Sequence, residues 1–505
     1  MKRISKFIGK PQSILFGFFS VTFFTLISKI LGLGREIVLA SSFGTSWHLD
    51  CVIVAMEPTI QIGMIITTAL STVMLPIYID KKIKDPEKVK SYGTSILFAS
   101  ILSLTVFGAL LFFFNKEIAM IFAPKFSTEK LTYTAKIILY LSPMPIFIGL
   151  NTIMGTILRA ERSFFQQAIV QVIFNIITIP LIIFFSPSLG ETGYALSWFL
   201  GTVSMTIVFF FLTKKHISFH IDKNIFFGKD IKETYKLSLP LFLGNGIGSV
   251  NQIVDKAFAS SLATGSISSL RYSQNLLTMF NSVFVSSFFT TAYTKISEMA
   301  VKSDFINLEF LLKNICKKSL NVIVPITFWI ILTADRLIQL LFQRGDFNDN
   351  STSMVSVALI SYILIILTTP YYTLSANVLV ILKKTKLLTI VSVTSLLLNT
   401  LLDYIFLGFG HTGIALSTTF VSFICTIIIL IILQRKTRIN IFDFKVFLNS
   451  LFIPLLILLF SLLTKQYIDE LLWLSLVTSA YIFIFVKNNL YLLKSIIYKL
   501  KRRRK

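Results

Sequence analysis

Gly190-Glu191-Thr192-Gly193-Tyr194-Ala195-Leu196-Ser197 returns as Gly410-His411-Thr412-Gly413-Ile414-Ala415-Leu416-Ser417, about 220 residues further along the chain. Working outward, Leu39-Ala40-Ser41-Ser42-Phe43 returns as Phe258-Ala259-Ser260-Ser261-Leu262. Leu150 to Arg159 matches Leu374 to Lys383, and Asn175 matches Asn399. Four separate pieces in one order, at nearly one offset, indicate a duplicated bundle. Membrane folds built from two related halves usually place a transport pathway at the interface between them, so a transporter is the first expectation.

Composition agrees. The chain is 54% hydrophobic with a mean hydropathy of +0.78, and only 14% of its 505 residues are charged. Soluble domains carry about 25% charged residues, so this is read as an all-α polytopic membrane protein. A net charge of +24 could suggest nucleic acid. Most of the excess sits in alternate loops, where membrane topology explains it, and no loop is large enough for a nucleic-acid module. Cys51, Cys316 and Cys425 are scattered and imply neither a disulfide framework nor a metal knuckle. His216 and His220 stand in a lysine-rich loop without further ligands, which reads as a solvated loop. The N-terminus is basic and then apolar, but the apolar segment is too long for a signal peptide and is expected to remain as the first span.

Runs of about 20 apolar residues fall on 14–43, 51–79, 92–114, 131–157, 163–185, 190–213, 233–262, 266–293, 319–343, 353–382, 387–408, 411–434, 444–464 and 470–491. Fourteen transmembrane helices are therefore expected. Lys and Arg crowd the N-terminus, every second loop and the tail Lys501-Arg502-Arg503-Arg504-Lys505. By the positive-inside rule both termini are cytoplasmic, which an even span count allows. The duplication pairs span one with span seven and span six with span twelve, so the two six-helix repeats are parallel. The expected divisions are 1–230 for the N-terminal lobe, 231–440 for the C-terminal lobe, and 441–505 for two further helices and a basic tail.

Polar residues inside lipid are costly and normally face the bundle interior or a water-filled cavity. Span one carries Thr22, Thr25, Lys29 and Glu36 at helical spacing, with Ser28 and Arg35 adjoining. Span two carries Asp50, Glu57, Gln61 and Thr68 on one face. Asn245, Ser249, Gln252 and Lys256 line span seven, and Arg271, Gln274, Asn275, Thr278 and Ser282 line span eight. Placed symmetrically, these four helices would enclose a central cavity with both signs of charge. Buried ion pairs and hydrogen bonds that only hold the bundle together are the competing reading. A second cluster comprises Asp255, Asn399, Asp403 and Thr419, whose oxygens would suit a small hard cation such as sodium. A hydrogen-bonded packing knot explains the same spacing. No nucleotide loop and no catalytic arrangement appears, so the chain is read as no enzyme, with energy coming from an ion gradient, the membrane potential or the substrate gradient.

Ser28-Lys29-Ile30-Leu31-Gly32-Leu33-Gly34-Arg35-Glu36, followed by Phe43-Gly44 and Asp50, resembles the opening of the MurJ/MviN lipid II flippases. Val254-Asp255-Lys256-Ala257-Phe258-Ala259-Ser260-Ser261-Leu262, with Gly265-Ser266-Ile267-Ser268-Ser269-Leu270 and Tyr272, resembles that family's seventh and eighth helices. The resemblance implies the multidrug/oligosaccharidyl-lipid/polysaccharide exporter fold. Two lobes would rock around a cationic cavity, and the C-terminal helices would form a groove for a polyprenyl tail. It implies cavity roles for Arg35, Lys29 and Asp50, and a sodium role for Asp255, Asn399, Asp403 and Thr419. Glu57, Lys256, Arg271 and Asn275 complete the expected substrate-binding set.

The sequence departs from the family pattern at three places. Ile62 and Gly63 replace an arginine pair, and Asn275 replaces another arginine, with Arg271 one turn earlier. Glu57-Pro58-Thr59 stands where Leu-Pro-Asn is usual. The expected activity is flipping of a polyprenyl-diphosphate-linked cell-wall precursor, lipid II first, across the bacterial inner membrane for peptidoglycan synthesis. Its partners would be that precursor and membrane lipids, with no nucleic acid or nucleotide and no cofactor beyond the sodium ion. A capsule or O-antigen flippase and a cation-coupled multidrug antiporter are the alternatives. The antiporter normally has twelve helices and needs no tail groove.

Overall fold

The computed structural model describes residues 14–218, 228–284, 295–300, 302, 304–464 and 469–502. Among them there is no strand, since in lipid a helix satisfies its own backbone groups while an open sheet edge cannot. His220, residues 285–293 of the eighth expected segment and the extreme terminal cations lie outside the described residues.

The helices run, in order, α1 (Ile14–Phe43), α2 (Trp47–Lys84), α3 (Pro86–Phe113), α4 (Asn115–Phe122), α5 (Thr128–Leu141), α6 (Met144–Ala160) and α7 (Phe164–Thr213). They continue as α8 (Lys229–Ala259), α9 (Ser266–Phe284), α10 (Phe305–Phe342), α11 (Asp349–Ile363) and α12 (Ile365–Ile381). The last four are α13 (Thr385–Phe406), α14 (Gly410–Thr437), α15 (Phe444–Thr464) and α16 (Glu470–Arg502). The described part of every expected apolar segment falls largely on helix, though not one to one. By length and composition, seven helical runs among the described residues can cross a membrane, or eight if α5 and α6, bent by 45°, count as one crossing. Two of those runs, Phe164–His216 and Thr385–Thr437, each hold two of the expected spans.

The breaks inside those two runs are the repeated motif itself. Gly190 has φ 57°, ψ −142°, and Gly410 has φ 66°, ψ −149°. These angles are open to glycine and strained for other residues, so each ends one helix and turns the chain into the next. The second motif glycine then seals the corner. A Cβ on Gly193 would lie 2.7 Å from the Phe185 carbonyl oxygen, and one on Gly413 would lie 2.0 Å from that of Phe406. The duplication read in the sequence is thus a duplicated helical corner in space.

One compact unit comprises Met1–Ser268 with Phe342–Ser351, and the other Ser269–Leu341 with Thr352–Lys505. The sequence repeat divides at 230/231, but packing keeps α8 with the first unit because α8 lies against α2. In that unit α1 packs on α7, and α2 on α3, α5 and α6. Its core joins Leu70, Met74 and Tyr78 of α2 to Ile96 of α3, Ile153 and Ile157 of α6 and Phe209 of α7. In the second unit α14 packs on α12 and α13, and α15 pairs with α16. There the Trp473 indole donates to the Ser461 carbonyl at 2.9 Å and the Tyr481 hydroxyl to the Pro454 carbonyl at 2.8 Å. Large apolar side chains such as Phe113, Phe184, Phe460 and Leu463 are at least 68% exposed, while Thr59, Thr67, Ser197 and Ser417 are fully buried. Apolar outside and hydroxyls inside is the arrangement a hydrocarbon solvent selects.

Candidate transport site

On α1, Arg35 sits where α7 crosses. Its guanidinium donates to Asn175 Oδ1 at 3.2 Å and to Glu36 Oε1 at 3.0 Å, and lies 4.3 Å from the Trp198 ring centroid. A planar cation stacked on an indole while its edge reaches an amide and a carboxylate is a geometry lysine cannot copy. Asn175 also donates to Ser28 Oγ at 3.2 Å, so one amide ties both ends of the Ser28–Glu36 motif to α7. Arg35 Nε and Glu36 Oε2 are buried without a partner among the described residues. Lys29, earlier on α1, is half-buried.

Glu57 of α2 and Lys256 of α8 form an ion pair, with side chains only 13% and 18% exposed. Gln61, one turn further along α2, donates to Glu57 Oε1 and to Gln252 Oε1, each at 3.0 Å, and accepts from the Ser249 hydroxyl at 3.0 Å. Three stripe residues of α8 are thus bound by two of α2. Asp50 is buried at the start of α2 and accepts from the backbone N–H groups of Gly265 and Ser268, each at 2.7 Å. It caps the N-terminus of α9, where a carboxylate meets free N–H groups and the positive end of the helix dipole.

The turn before α2 packs closely against residues 345–351. The Asp346 N–H donates to the Ser41 carbonyl at 3.0 Å, and the hydroxyls of Thr45 and Ser351 are 2.9 Å apart. Gly345 has φ 58°, and a Cβ there would lie 2.1 Å from the Ser41 oxygen. Ser46 of the same turn donates to Glu191 of the repeated motif at 2.7 Å.

Two family departures acquire a setting here. Gly63 is buried against α6, where a Cβ would already lie 3.1 Å from the Pro145 oxygen and 3.2 Å from Ile148. Ile62 beside it is half-buried. In the second unit Arg271 is half-buried and Asn275 exposed on α9, and Gln274 between them donates to the Tyr362 hydroxyl at 2.9 Å.

The four residues expected to hold sodium are placed as follows. Asp255 is buried in the first unit, and Asn399, Asp403 and Thr419 are buried in the second. Asn399 donates to Asp403 at 3.1 Å, and the Ser417 hydroxyl donates to the other Asp403 oxygen. Thr419 donates to the carbonyls of Ser361 at 2.7 Å and Ala415 at 3.0 Å. Among the described residues no three His, Cys, Asp or Glu side chains gather as a metal site. Sequence reasoning passed over Ser417, Trp198 and the pairing role of Asn175. Ser417 and Asn175 were both visible as repeat positions, while nothing local marks Trp198.

A helical bundle built twice, with charges paired between helices and apolar groups outside, defines a polytopic membrane transporter of the exporter fold described above. The family is named by comparison. A model of the family described as "Lipid II flippase MurJ" matches residues 39–487, and the chain belongs to that family. Among its relatives, the "Probable lipid II flippase MurJ" of Buchnera aphidicola subsp. Schizaphis graminum is 27% identical over 477 residues, covering 90% of each chain. The "Lipid II flippase MurJ" of Thermosipho africanus is 28% identical, covering 92% of this chain and 93% of that one. A solved structure of lipid II flippase MurJ in an inward closed conformation superposes with a TM-score of 0.81 at 26% identity, over 96% of this chain and 100% of that one. An inward-facing multidrug resistance MATE family transporter gives a TM-score of 0.69 at 13% identity, over 81% and 94% of the two chains, which is a likeness of fold alone.

Proposed function

We propose that this protein flips lipid II, a polyprenyl-diphosphate-linked precursor, across the bacterial cytoplasmic membrane for peptidoglycan synthesis. The observation that carries the reading is the family match over residues 39–487, which spans both copies of the repeat. The physical need is plain. A diphosphate cannot cross hydrocarbon unaided, and intramembrane cations can replace its hydration. Lys29, Arg35 and Arg271 are the cations assigned to that task, and Asp50, Glu57, Lys256 and Asn275 complete the proposed substrate-binding set. The two halves alternate access. In one state Asp50, the Glu57–Lys256 pair and the Gly345 turn hold one end of the bundle shut, the end that loop charges assign to the outside.

The protein acts as a transporter without catalysis. It uses no nucleotide or nucleic acid, its partners are the lipid-linked precursor and membrane lipids, and both termini are cytoplasmic. Sodium binding, the role assigned to Asp255 of the first unit and to Asn399, Asp403 and Thr419 of the second, biases the alternation. A flippase for a capsule or O-antigen unit is the second reading, favoured by Ile62, Gly63 and Asn275 in place of family arginines. The test is expression in cells depleted of their own lipid II flippase, with lipid II exposed at the outer face as the readout. Restored growth and exposure are expected. A well-expressed protein that restores neither sinks the lipid II reading and leaves the other glycans.

A further inference from the structure

Inside the first unit lies a cavity of about 500 Å³ bounded by α1, α2, α6 and α7. Its lining is amphipathic. Phe164, Trp198 and Phe209 supply aromatic walls, and Asn151, Gln167 and Arg159 supply polar groups. Arg159 is the one formal charge on that lining. It donates to the hydroxyls of Ser71 and Thr156, each at 2.9 Å, and its Nε is buried with no partner among the described residues. The acid nearest in sequence is committed elsewhere: Glu161 binds Lys82 at 2.5 Å and accepts from the Tyr78 hydroxyl at 3.1 Å. A guanidinium facing a cavity with only neutral hydroxyls as partners is a cation awaiting an anion.

A second observation points to the same occupant. Asn151 is 7% exposed and spends its amide N–H on the Thr202 carbonyl at 3.2 Å, while its Oδ1 is buried without a partner. An orphaned acceptor calls for a donor, such as a sugar or glycerol hydroxyl. One ligand class satisfies both groups and the aromatic walls: a phosphate ester that bears hydroxyls and is attached to hydrocarbon. We propose that this cavity, which shares the Trp198 wall with Arg35 but is lined by neither Arg35 nor the Glu57–Lys256 pair, binds the phosphate head of an anionic lipid, with Arg159 on the phosphate and Asn151 accepting from a hydroxyl. That phosphate could come from a glycerophospholipid or from a polyprenyl carrier, and binding experiments separate the two.

The test uses the full-length protein in detergent, with short-chain phosphatidylglycerol, phosphatidylcholine of equal chain length, and farnesyl diphosphate as probes. Binding is read by native mass spectrometry, with intrinsic tryptophan fluorescence as a second readout. Arg159→Gln should weaken the anionic probe on the order of tenfold or more, as expected for loss of a charge-assisted hydrogen bond. Arg159→Lys should recover most of it, and phosphatidylcholine should bind weakly to all. Gly155→Leu narrows the cavity while keeping the Arg159 charge, since a Cβ there meets only ordinary contacts, at 3.6 Å from Gln167 and Phe209. It should weaken the same probe, and it decides the matter should Arg159→Gln fail to fold. Loss confined to phosphatidylglycerol makes the source a phospholipid, and loss confined to farnesyl diphosphate makes it the carrier. Unchanged affinity of both anionic probes in folded Arg159→Gln and Gly155→Leu overturns the proposal. Because the readout is binding, it stands or falls apart from lipid II transport.

Discussion

Glu57 and Lys256 are ion-paired across α2 and α8, two helices from different halves of the duplication. The pair is mostly shielded from solvent, so each charge depends on the other. Breaking such a pair by removing one partner costs about 3–5 kcal/mol, far more than a surface pair is worth. Any motion that parts these helices must separate or rehydrate the two charges.

Glu57→Gln should therefore lower the unfolding temperature of the purified protein and raise thiol labelling of a cysteine placed beside Gln252, applied from outside. Lys256→Met should do the same. The double exchange Glu57→Lys with Lys256→Glu should recover most of both. If the exchange is no better than the single changes, the pair is incidental to closure.

Arg35 has two roles that mutation can part. Arg35→Ala should abolish lipid II flipping and also destabilise the protein by about 1–3 kcal/mol, because Glu36 loses its partner. Adding Glu36→Gln should return stability without returning transport. A double variant that is both stable and active would remove Arg35 from substrate handling. Arg35→Lys should also transport poorly, since an ammonium cannot both stack on Trp198 and reach Asn175 and Glu36.

The arginine-free stretch of α2 offers a size test. Gly63→Arg should fail to accumulate in the membrane, because even a Cβ there presses on Pro145 and Ile148. Ile62→Arg should insert normally. If a more anionic substrate is the natural one, Ile62→Arg should raise transport in the depletion strain. Equal behaviour of the two variants would show that packing against α6 does not set the choice at this point.

Sodium should shift the balance between the two access states, and Asp403→Asn should remove the shift while Arg35→Ala leaves it. A ligand biases such an equilibrium only through different affinities for the two states. Distances between spin labels at the start of α2 and the start of α9, with sodium or choline as the cation, check this. An unchanged distribution in the native protein leaves Asn399, Asp403 and Ser417 as a hydrogen-bonded knot.

Apolar run length and the repeated glycines carried the fold, because both are local: a helix needs a continuous apolar face, and a sharp corner needs Gly190 or Gly410. Helical spacing also marked Glu57, Gln61, Gln252 and Lys256 as inward-facing. It could not show that they bind one another, since a stripe gives a direction and not a partner. Asp50 was visible as a charge near a helix end, but its partners are the backbone N–H groups of Gly265 and Ser268, which have no side-chain signature. Arg159 stands two residues past the apolar run 131–157, where the sequence marks no cavity. Only the three-dimensional course of Glu161 toward Lys82 and Tyr78 leaves it facing a cavity.

The approach of Gly345 to the Ser41 carbonyl bears on resistance to drugs. A blocker wedged between that turn and α1 would meet the Ser41 carbonyl and the Asp346 N–H, backbone groups that side-chain changes other than to proline leave in place. A bulkier residue at Gly44 or Gly345 is a poor route of escape, because even one methyl group there would collide with the opposing carbonyl. The change that evades the compound would also spoil the fit on which the resting protein depends.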